Sequence, residues 1–393
     1  MTDLEAFKIA IMKLLKIFLP LAVGCLSIVS CTNVAPLDFD DKAQEELLTK
    51  RDQLKWAEEK KEHEKNQADS AAIAEKNKEN RAKYLADLRA YKESDHPLMF
   101  GWFNNWNPSS PDKEFSLDML PDSVDWVSNW GSAWNLNDAK KAQLARAHER
   151  GIRMTIGWII ENVGSGIVAP EGGWTQYKTA DGKVDVNKAI DVYVMALCDS
   201  IQKYDYDGMD VDYEPQFASP FKPGNHCGDW NADDLVDHIA LISCQQYGNK
   251  DRENYFFTRM REELDKRSKE MGKPLMFNIN GSLTWMDNKV VKSFDYFIAQ
   301  SYGNTPRNWI DALNRYRREG VDPVKQLLVT ETFQNNESNA KNFDRYARYI
   351  KNNGSPIAAG IGAFHINEDW RYGPEYANVR RVIQLMNPTL QPE

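Results

Sequence analysis

Tyr204-Asp205-Tyr206-Asp207-Gly208-Met209-Asp210-Val211-Asp212-Tyr213-Glu214-Pro215 places Asp210, Asp212 and Glu214 at every second position. A β-strand turns alternate side chains to one face. The acids of that set therefore share a face, while Met209, Val211 and Tyr213 look the other way. Like charges a few Å apart cannot all ionise, so crowding them costs stability. The usual return for that cost is acid–base chemistry with split pKa values. A calcium loop is the competing use of such acids, but it needs carboxylates converging around a glycine turn. Asp207-Gly208 instead begins an apolar alternation.

Outward from this strand a strand–helix rhythm runs in both directions. Candidate strands are Leu98–Phe103, Val124–Asn129, Arg153–Trp158, Gly208–Glu214, Leu275–Asn280, Tyr296–Ser301, Gln326–Thr330 and Gly360–His365. Helical patterns fall at Asp138–Glu149, Asn187–Lys203, Arg252–Met271, Trp309–Arg318, Ala340–Lys351 and Tyr376–Met386. The strands are mostly apolar runs, as expected when both faces are covered. Eight strands alternating with helices predict an α/β fold, a (β/α)8 TIM barrel. A doubly wound sheet is the alternative, but no glycine-rich phosphate loop follows the first strand.

Barrel enzymes work at the carboxyl ends of their strands. That rule collects Trp102, Asn104, Asn105, Trp106, Trp130, Trp158, Glu161, Asp210, Asp212, Glu214, Asn278, Asn280, Gln300, Tyr302, Glu331 and His365. The set is acidic, amide-bearing and aromatic, without a cationic cluster for phosphate. It suits a carbohydrate cleft, because flat apolar rings stack on the C–H faces of sugars.

Asp207-Gly208-Met209-Asp210-Val211-Asp212-Tyr213-Glu214 resembles the Asp-x-x-Asp-x-Asp-x-Glu signature of glycoside hydrolase family 18. The resemblance extends over about Leu98 to Pro388 and implies a (β/α)8 barrel cleaving β-linked N-acetylglucosamine, as chitinases and endo-β-N-acetylglucosaminidases do. It implies substrate-assisted chemistry, an exception to the two-carboxylate scheme. Glu214 would be the acid and then the base, Asp212 would hold the acetamido group, and Asp210 would share a proton with Asp212. Asp207 stands before the alternation and reads as structural. Gln300-Ser301-Tyr302 is similar to the family segment whose tyrosine hydroxyl holds the acetamido carbonyl. Gln300, Asn278, Asn280, Trp102, Trp158 and Trp370 are the candidate substrate-binding residues.

Departures from the family sharpen the expectation. Where many chitinases carry Ser-x-Gly-Gly on the third strand, this chain reads Thr155-Ile156-Gly157-Trp158. The last strand reads Ala363-Phe364-His365 and lacks the tryptophan that floors a chitin subsite, unless Trp370 reaches in from the loop. These features favour the endo-β-N-acetylglucosaminidase branch, acting on the core of N-glycans, over a chitinase. A non-catalytic glycan-binding protein on the same scaffold is the third reading, and it is the one that would lose Glu214. No Gly-x-Ser-x-Gly elbow supports a serine hydrolase.

The 393-residue chain, with 42% hydrophobic and 11% aromatic residues, is long enough for one large barrel or two ordinary domains. A net charge of −9 argues against nucleic acid as a partner. The six histidines show no zinc-type spacing, and the chemistry calls for no metal or other cofactor. Nothing in the sequence asks for more than a monomer.

Residues 1–30 read as a lipoprotein signal peptide. Lys13 and Lys16 precede an apolar run, Ile17 to Ser30, that ends Ile28-Val29-Ser30-Cys31. The pattern resembles a bacterial lipoprotein signal of the Bacteroidetes type, with Cys31 lipidated. It implies an outer-membrane lipoprotein, with Met12 an alternative start. Residues 31–95 are rich in Lys, Glu, Gln and Ala, so they predict helix. That helix is a stalk or folds back on the body. Tyr84, Leu85, Leu88 and Tyr91 at helical spacing predict that its end docks on the catalytic domain, residues 96–393. Cys198 reads as a buried thiol, while Cys227 and Cys244 are left open between a disulfide and free thiols.

Overall fold

The computed structural model describes residues 41–131, 133–215, 239, 241, 250–303, 313–352 and 355–388. Cys31, Cys227 and Cys244, and most of the loop after Pro215, lie outside these residues. The chain divides into two compact units, Met1–Lys76 and Asn77–Glu393.

In the first unit the described residues belong to helix α1, Asp41–Glu93. Its sequence holds strong helix formers and neither Pro nor Gly, which accounts for its length. Leu54, Trp56 and Ile73 are exposed, and no apolar stripe runs along it.

The end of α1 belongs to the second unit and docks there. Tyr84 donates to Asp122 at 2.7 Å, and Arg89 donates to the Glu149 carbonyl at 2.8 Å. The Lys92 ammonium bonds the Val124 carbonyl, and burial lowers its pKa to about 8. These partners precede the second and third strands. The end of α1 therefore meets the barrel at the amino ends of its strands, opposite their carboxyl ends.

Eight parallel strands close the barrel: β1 Leu98–Asn104, β2 Trp126–Trp130, β3 Arg153–Ile159, β4 Gly208–Tyr213, β5 Met276–Gly281, β6 Tyr296–Gln300, β7 Leu327–Thr332 and β8 Gly360–Phe364. Every strand pairs with its sequence neighbours, and β8 returns to β1. The main helices around it are α2 Asp138–Glu149, α3 Val186–Tyr204 and α4 Lys250–Met271. In α3, Ile190, Tyr193, Val194, Leu197 and Ile201 recur at helical spacing and bury one face. Cys198 is a free buried thiol on the same face.

The expected Ala340–Lys351 helix is instead two short ones, α5 Glu337–Lys341 and α6 Asp344–Tyr349. Asn342 ends the first, and buried Phe343 packs on Phe333 at 5.0 Å. Of the expected Trp309–Arg318 helix, the described part is the 3-10 turn Asn314–Glu319. A last helix, α7 Ala377–Met386, follows Tyr376 in the left-handed region.

Alternation sets two cores. Phe100, Trp102, Trp126, Met276, Ile298 and Leu328 fill the barrel interior. Residues of the other parity, such as Met154, Ile156, Met209, Val211 and Val329, pack beneath the helices. The inner face thus carries Asp210 and Asp212.

Three aspartates repeat one device at the amino ends. Asp125, Asp207 and Asp295 each directly precede an even-numbered strand. Each accepts the amide of the second residue in the strand before, from Met99, Met154 and Phe277, at 2.7, 2.7 and 2.8 Å. Asp207 also accepts from His148 at 2.9 Å and Lys273 at 3.0 Å. Burial alone would raise its pKa, but these bonds and charges hold it below the usual carboxylate value. Gly208 follows because a Cβ there would sit 1.9 Å from the Met276 carbonyl oxygen, at a φ of +132°.

Candidate active site

A cavity of about 260 Å³ opens at the carboxyl ends of the strands, lined by Trp102, Trp130, Ile159, Asp212, Glu214, Asn280, Gln300, Tyr302 and Phe364. It is slightly smaller than the ~300–1,000 Å³ typical of small-molecule sites. Glu214 stands one residue beyond β4, half-buried, while Asp212 and Asp210 sink progressively into the barrel.

Asp210 is fully buried. Its Oδ2 accepts the Trp102 indole N–H at 2.8 Å, and its Oδ1 accepts from Asn280 Nδ2 at 3.1 Å. Burial pushes its pKa up to about 6 against the pull of those donors. Asn280 also donates to the Val211 carbonyl at 3.1 Å, which fixes its amide.

Gln300 ends β6 and bridges the set. Its Nε2 donates to Asp212 at 3.1 Å and to Asn280 Oδ1 at 2.8 Å. Burial, then the negative charges of Glu214 and Asp210, hold the Asp212 pKa well above the carboxylate range. Glu214 is raised as well, by burial, with a bond from Gln300 opposing it. The trio therefore retains protons at pH values where free carboxylates have lost them.

Tyr302 follows β6 and closes the cavity beside these acids. Burial and the charges of Asp212, Glu214 and Asp210 raise its pKa far above the phenol value, so its hydroxyl keeps its proton. Its ring stacks on Phe364 at 6.0 Å. Phe364 in turn meets Trp102 at 5.9 Å and Trp130 at 6.1 Å, both edge-on. Gly157 makes room for this aromatic wall: a Cβ there would meet Ser128 Oγ at 2.5 Å and the Trp130 ring at 3.0 Å.

The structure brings Asp210, Asp212, Glu214, Asn280, Gln300, Tyr302 and Trp102 together. Asn278 shares their parity, but it sits deeper on β5, fully buried, and neither amide atom meets a partner among the described residues.

Trp158 and Trp370, expected to bind substrate, stand outside this group. Trp158 has the parity of Met154 and Ile156, so it turns to the outer layer and packs on Trp134 at 5.3 Å. Trp370 packs on Tyr376 at 6.0 Å. Ile159 takes the inward place after Gly157, and Phe364 takes the one after Gly362. The alternation of Thr155 and Gly157 with apolar Met154 and Ile156 carried that signal for β3. The Gly360–Gly362 pair carried it for β8.

No curated protein matches the chain in sequence. The family model described as glycoside hydrolase family 18, BT1044-like, matches residues 61–385. The chain belongs to glycoside hydrolase family 18.

Solved structures agree with this in fold. A selenomethionine glutamate-to-glutamine variant of BT1044 is 24% identical, covering 78% of this chain and 93% of its own, with a TM-score of 0.59. An endo-β-N-acetylglucosaminidase from Cordyceps militaris is 17% identical, covering 77% of this chain and 95% of its own, with a TM-score of 0.52. A double variant of that fungal enzyme, with one aspartate and one glutamate changed to their amides, was solved with fucosyl-N-acetylglucosamine-Asn. At these identities the likeness establishes the fold.

Proposed function

We propose that this family 18 hydrolase is an endo-β-N-acetylglucosaminidase that cuts the β-1,4 bond of the N,N'-diacetylchitobiose core of N-glycans. The observation that carries the reading is the arrangement of Glu214 and Asp212. A half-buried Glu214 stands over a buried Asp212 that Gln300 orients, in a cavity suited to one sugar ring.

In this reading the substrate's 2-acetamido oxygen attacks C1 as Glu214 protonates the departing glycosidic oxygen. The C1–O bond breaks and an oxazolinium forms. Glu214, now a carboxylate, takes a proton from water as that water attacks C1, which restores the acetamide. Burial raises Glu214 toward the acid form that the first step needs. Asp212 holds the acetamido N–H and balances the oxazolinium charge. Asp210 receives the proton that Asp212 gives up. Tyr302 donates to the acetamido oxygen and aims it at C1.

Two observations support N-glycans over chitin. Phe364 lines the cavity where a chitin groove would carry tryptophan, and the fungal relative was solved with fucosyl-N-acetylglucosamine-Asn, a fragment of that core. Incubation with a high-mannose glycoprotein, a complex-type glycoprotein and chitin oligomers tests the preference. A protein left with a single N-acetylglucosamine supports the reading; chitobiose released from chitin alone overturns it. Glu214→Gln should end turnover while keeping glycan affinity, and full activity in that variant would remove the acid from Glu214.

We also propose that Cys31 is lipidated and anchors the protein in a bacterial outer membrane. The support is the sequence before it. Cys31→Ala should move the protein from the membrane to the soluble fraction, and unchanged partitioning would refute the anchor.

A further inference from the structure

Glu331 is a carboxylate in an expensive place. It lies on the outer face of β7, whose other residues of that parity, Leu327 and Val329, are apolar core. It is 0% exposed. Burying a charge is unfavourable unless it is paired and hydrogen-bonded, and a leucine would serve packing there. What Glu331 supplies instead is an acceptor for the turn that carries Tyr302.

Its Oε1 accepts from the Gly303 amide at 2.9 Å, the Thr332 amide at 2.8 Å and Asn339 Nδ2 at 3.2 Å. Its Oε2 pairs with the Arg345 guanidinium, which lies over the Tyr346 ring at 5.3 Å. Tyr346 donates its hydroxyl to the Ser301 carbonyl at 2.7 Å. The Ser301 amide donates to the Thr330 carbonyl at 3.1 Å. Both neighbours of Tyr302 are thus held by side chains of β7 and α6, on the side away from the cavity. Gly303 has a φ of +70°, so the turn needs such anchoring to hold one geometry.

We propose that Glu331 and Tyr346 are positioning residues that fix the Tyr302 hydroxyl over the reacting acetamide, acting through Gly303 and Ser301. Neither touches the cavity. The proposal rests on the functional reading above, in which Tyr302 aims the acetamido oxygen. A misplacement of about 1 Å in such a group can cost on the order of a hundredfold in rate.

The test is a double-mutant cycle in the full chain. Wild type, Glu331→Leu, Tyr302→Phe and the double variant are compared on a high-mannose glycoprotein, alongside amide hydrogen exchange of Gly303. Glu331→Leu is expected to lower kcat by about tenfold or more with KM within about threefold, and to speed Gly303 exchange at least about tenfold. In the Tyr302→Phe background the same substitution should change kcat by less than about threefold, because the hydroxyl it positions is gone.

An equal loss of kcat in both backgrounds, or Gly303 exchange unchanged in Glu331→Leu, overturns the proposal. If Glu331→Leu does not fold, Tyr346→Phe, which removes one hydroxyl, enters the same cycle with Ser301 held less firmly. Its effect on kcat must likewise vanish with Tyr302→Phe. Hydrogen exchange needs no substrate. A wild-type chain inactive on every glycan would therefore sink the functional reading, while the exchange result still decides whether Glu331 pins the turn.

Discussion

Trp102 on β1 donates its indole N–H to Asp210 on β4 at 2.8 Å, through the interior of the barrel. The bond ties the floor of the cavity to the deepest acid of the motif. A fully buried carboxylate with a pKa of about 6 is poised by two opposed effects, burial raising it and Asn280 and Trp102 lowering it. Asp212 above it is raised by burial first and then by the charges of Glu214 and Asp210, and keeps its proton. The alternation of acids along β4 is thus a column of decreasing solvent contact, with all three carboxyls raised by burial.

Removing the indole donor should unbalance that column. Trp102→Phe takes one hydrogen bond from the charged form of Asp210, a bond of roughly 1.5–3 kcal/mol. A shift of one pKa unit is about 1.4 kcal/mol, so Asp210 should move upward by about one to two units. The pH profile of kcat/KM should show its ionisation, at about pH 6 in the wild type, displaced to higher pH. A profile that does not move would separate Asp210 from the catalytic titration.

Asp212→Asn should raise stability while it destroys activity. The folded pKa of Asp212 lies above its unfolded value, so between the two the native state binds more protons than the unfolded chain. Stability contributed by this group is full below the unfolded pKa, about 4, and is lost as pH rises toward the folded value. At pH 7 the asparagine variant escapes that loss and still presents an oxygen to Gln300. Its melting temperature should exceed the wild type's by on the order of a few degrees, with the gain shrinking as the buffer approaches about pH 4. The rate should fall by about 10²–10³ for want of a charge facing the oxazolinium. Equal melting temperatures at pH 7 would mean that Asp212 is not destabilised by burial.

How far the site could be read in the sequence follows from what periodicity conveys. The acids of β4 were legible because a period of two survives without knowledge of the neighbours. The choice between Trp158 and Ile159 was written only in the alternation of Thr155 and Gly157 with apolar Met154 and Ile156, a short signal that one residue of slip reverses. Aromatic size argued for Trp158. Packing chose Ile159, because the interior beside Trp130 admits only Gly157 at that level. At β8, Phe364 rather than His365 lines the cavity, on the parity of Gly360 and Gly362. Glu331 was visible at a strand end, but its outward turn toward Gly303 and Arg345 depends on contacts far apart in the chain. The break between α5 and α6 escaped the pattern because it falls at Asn342, at a φ of −98° and ψ of 15°, while the buried spacing of Ala340, Phe343, Tyr346 and Ala347 runs through it unchanged.

Asp207 offers the reverse of Asp212: a motif carboxylate whose loss should cost stability and spare chemistry. Its pKa is depressed, so its contribution is present above the unfolded value and disappears as pH falls through the folded one. Asp207→Ala leaves the buried Met154 amide without its acceptor and takes one of two carboxylates from His148 and Lys273, which keep Asp205. Leaving a buried donor unsatisfied costs about 1–3 kcal/mol. The variant should melt well below the wild type at pH 7, with kcat on the folded fraction unchanged within about threefold. Loss of kcat without loss of stability would place Asp207 in the chemistry instead.

Phe364 is where substrate choice should be open to change. Its ring stacks on Tyr302 and meets Trp102 and Trp130 edge-on, so it both walls the cavity and backs the tyrosine. Phe364→Ala removes these contacts, and aromatic pairs contribute about 0.5–1.5 kcal/mol each beyond buried area. Two effects follow: weaker packing of the bound sugar, which raises KM, and freer motion of Tyr302, which lowers kcat. Together they should reduce kcat/KM by about a hundredfold, with kcat bearing the larger part. Combining Phe364→Ala with Tyr302→Phe separates the two effects. If Phe364 works through Tyr302, the kcat loss from Phe364→Ala nearly disappears in the combined variant while the rise in KM persists. A kcat loss that persists undiminished would assign Phe364 to sugar packing alone.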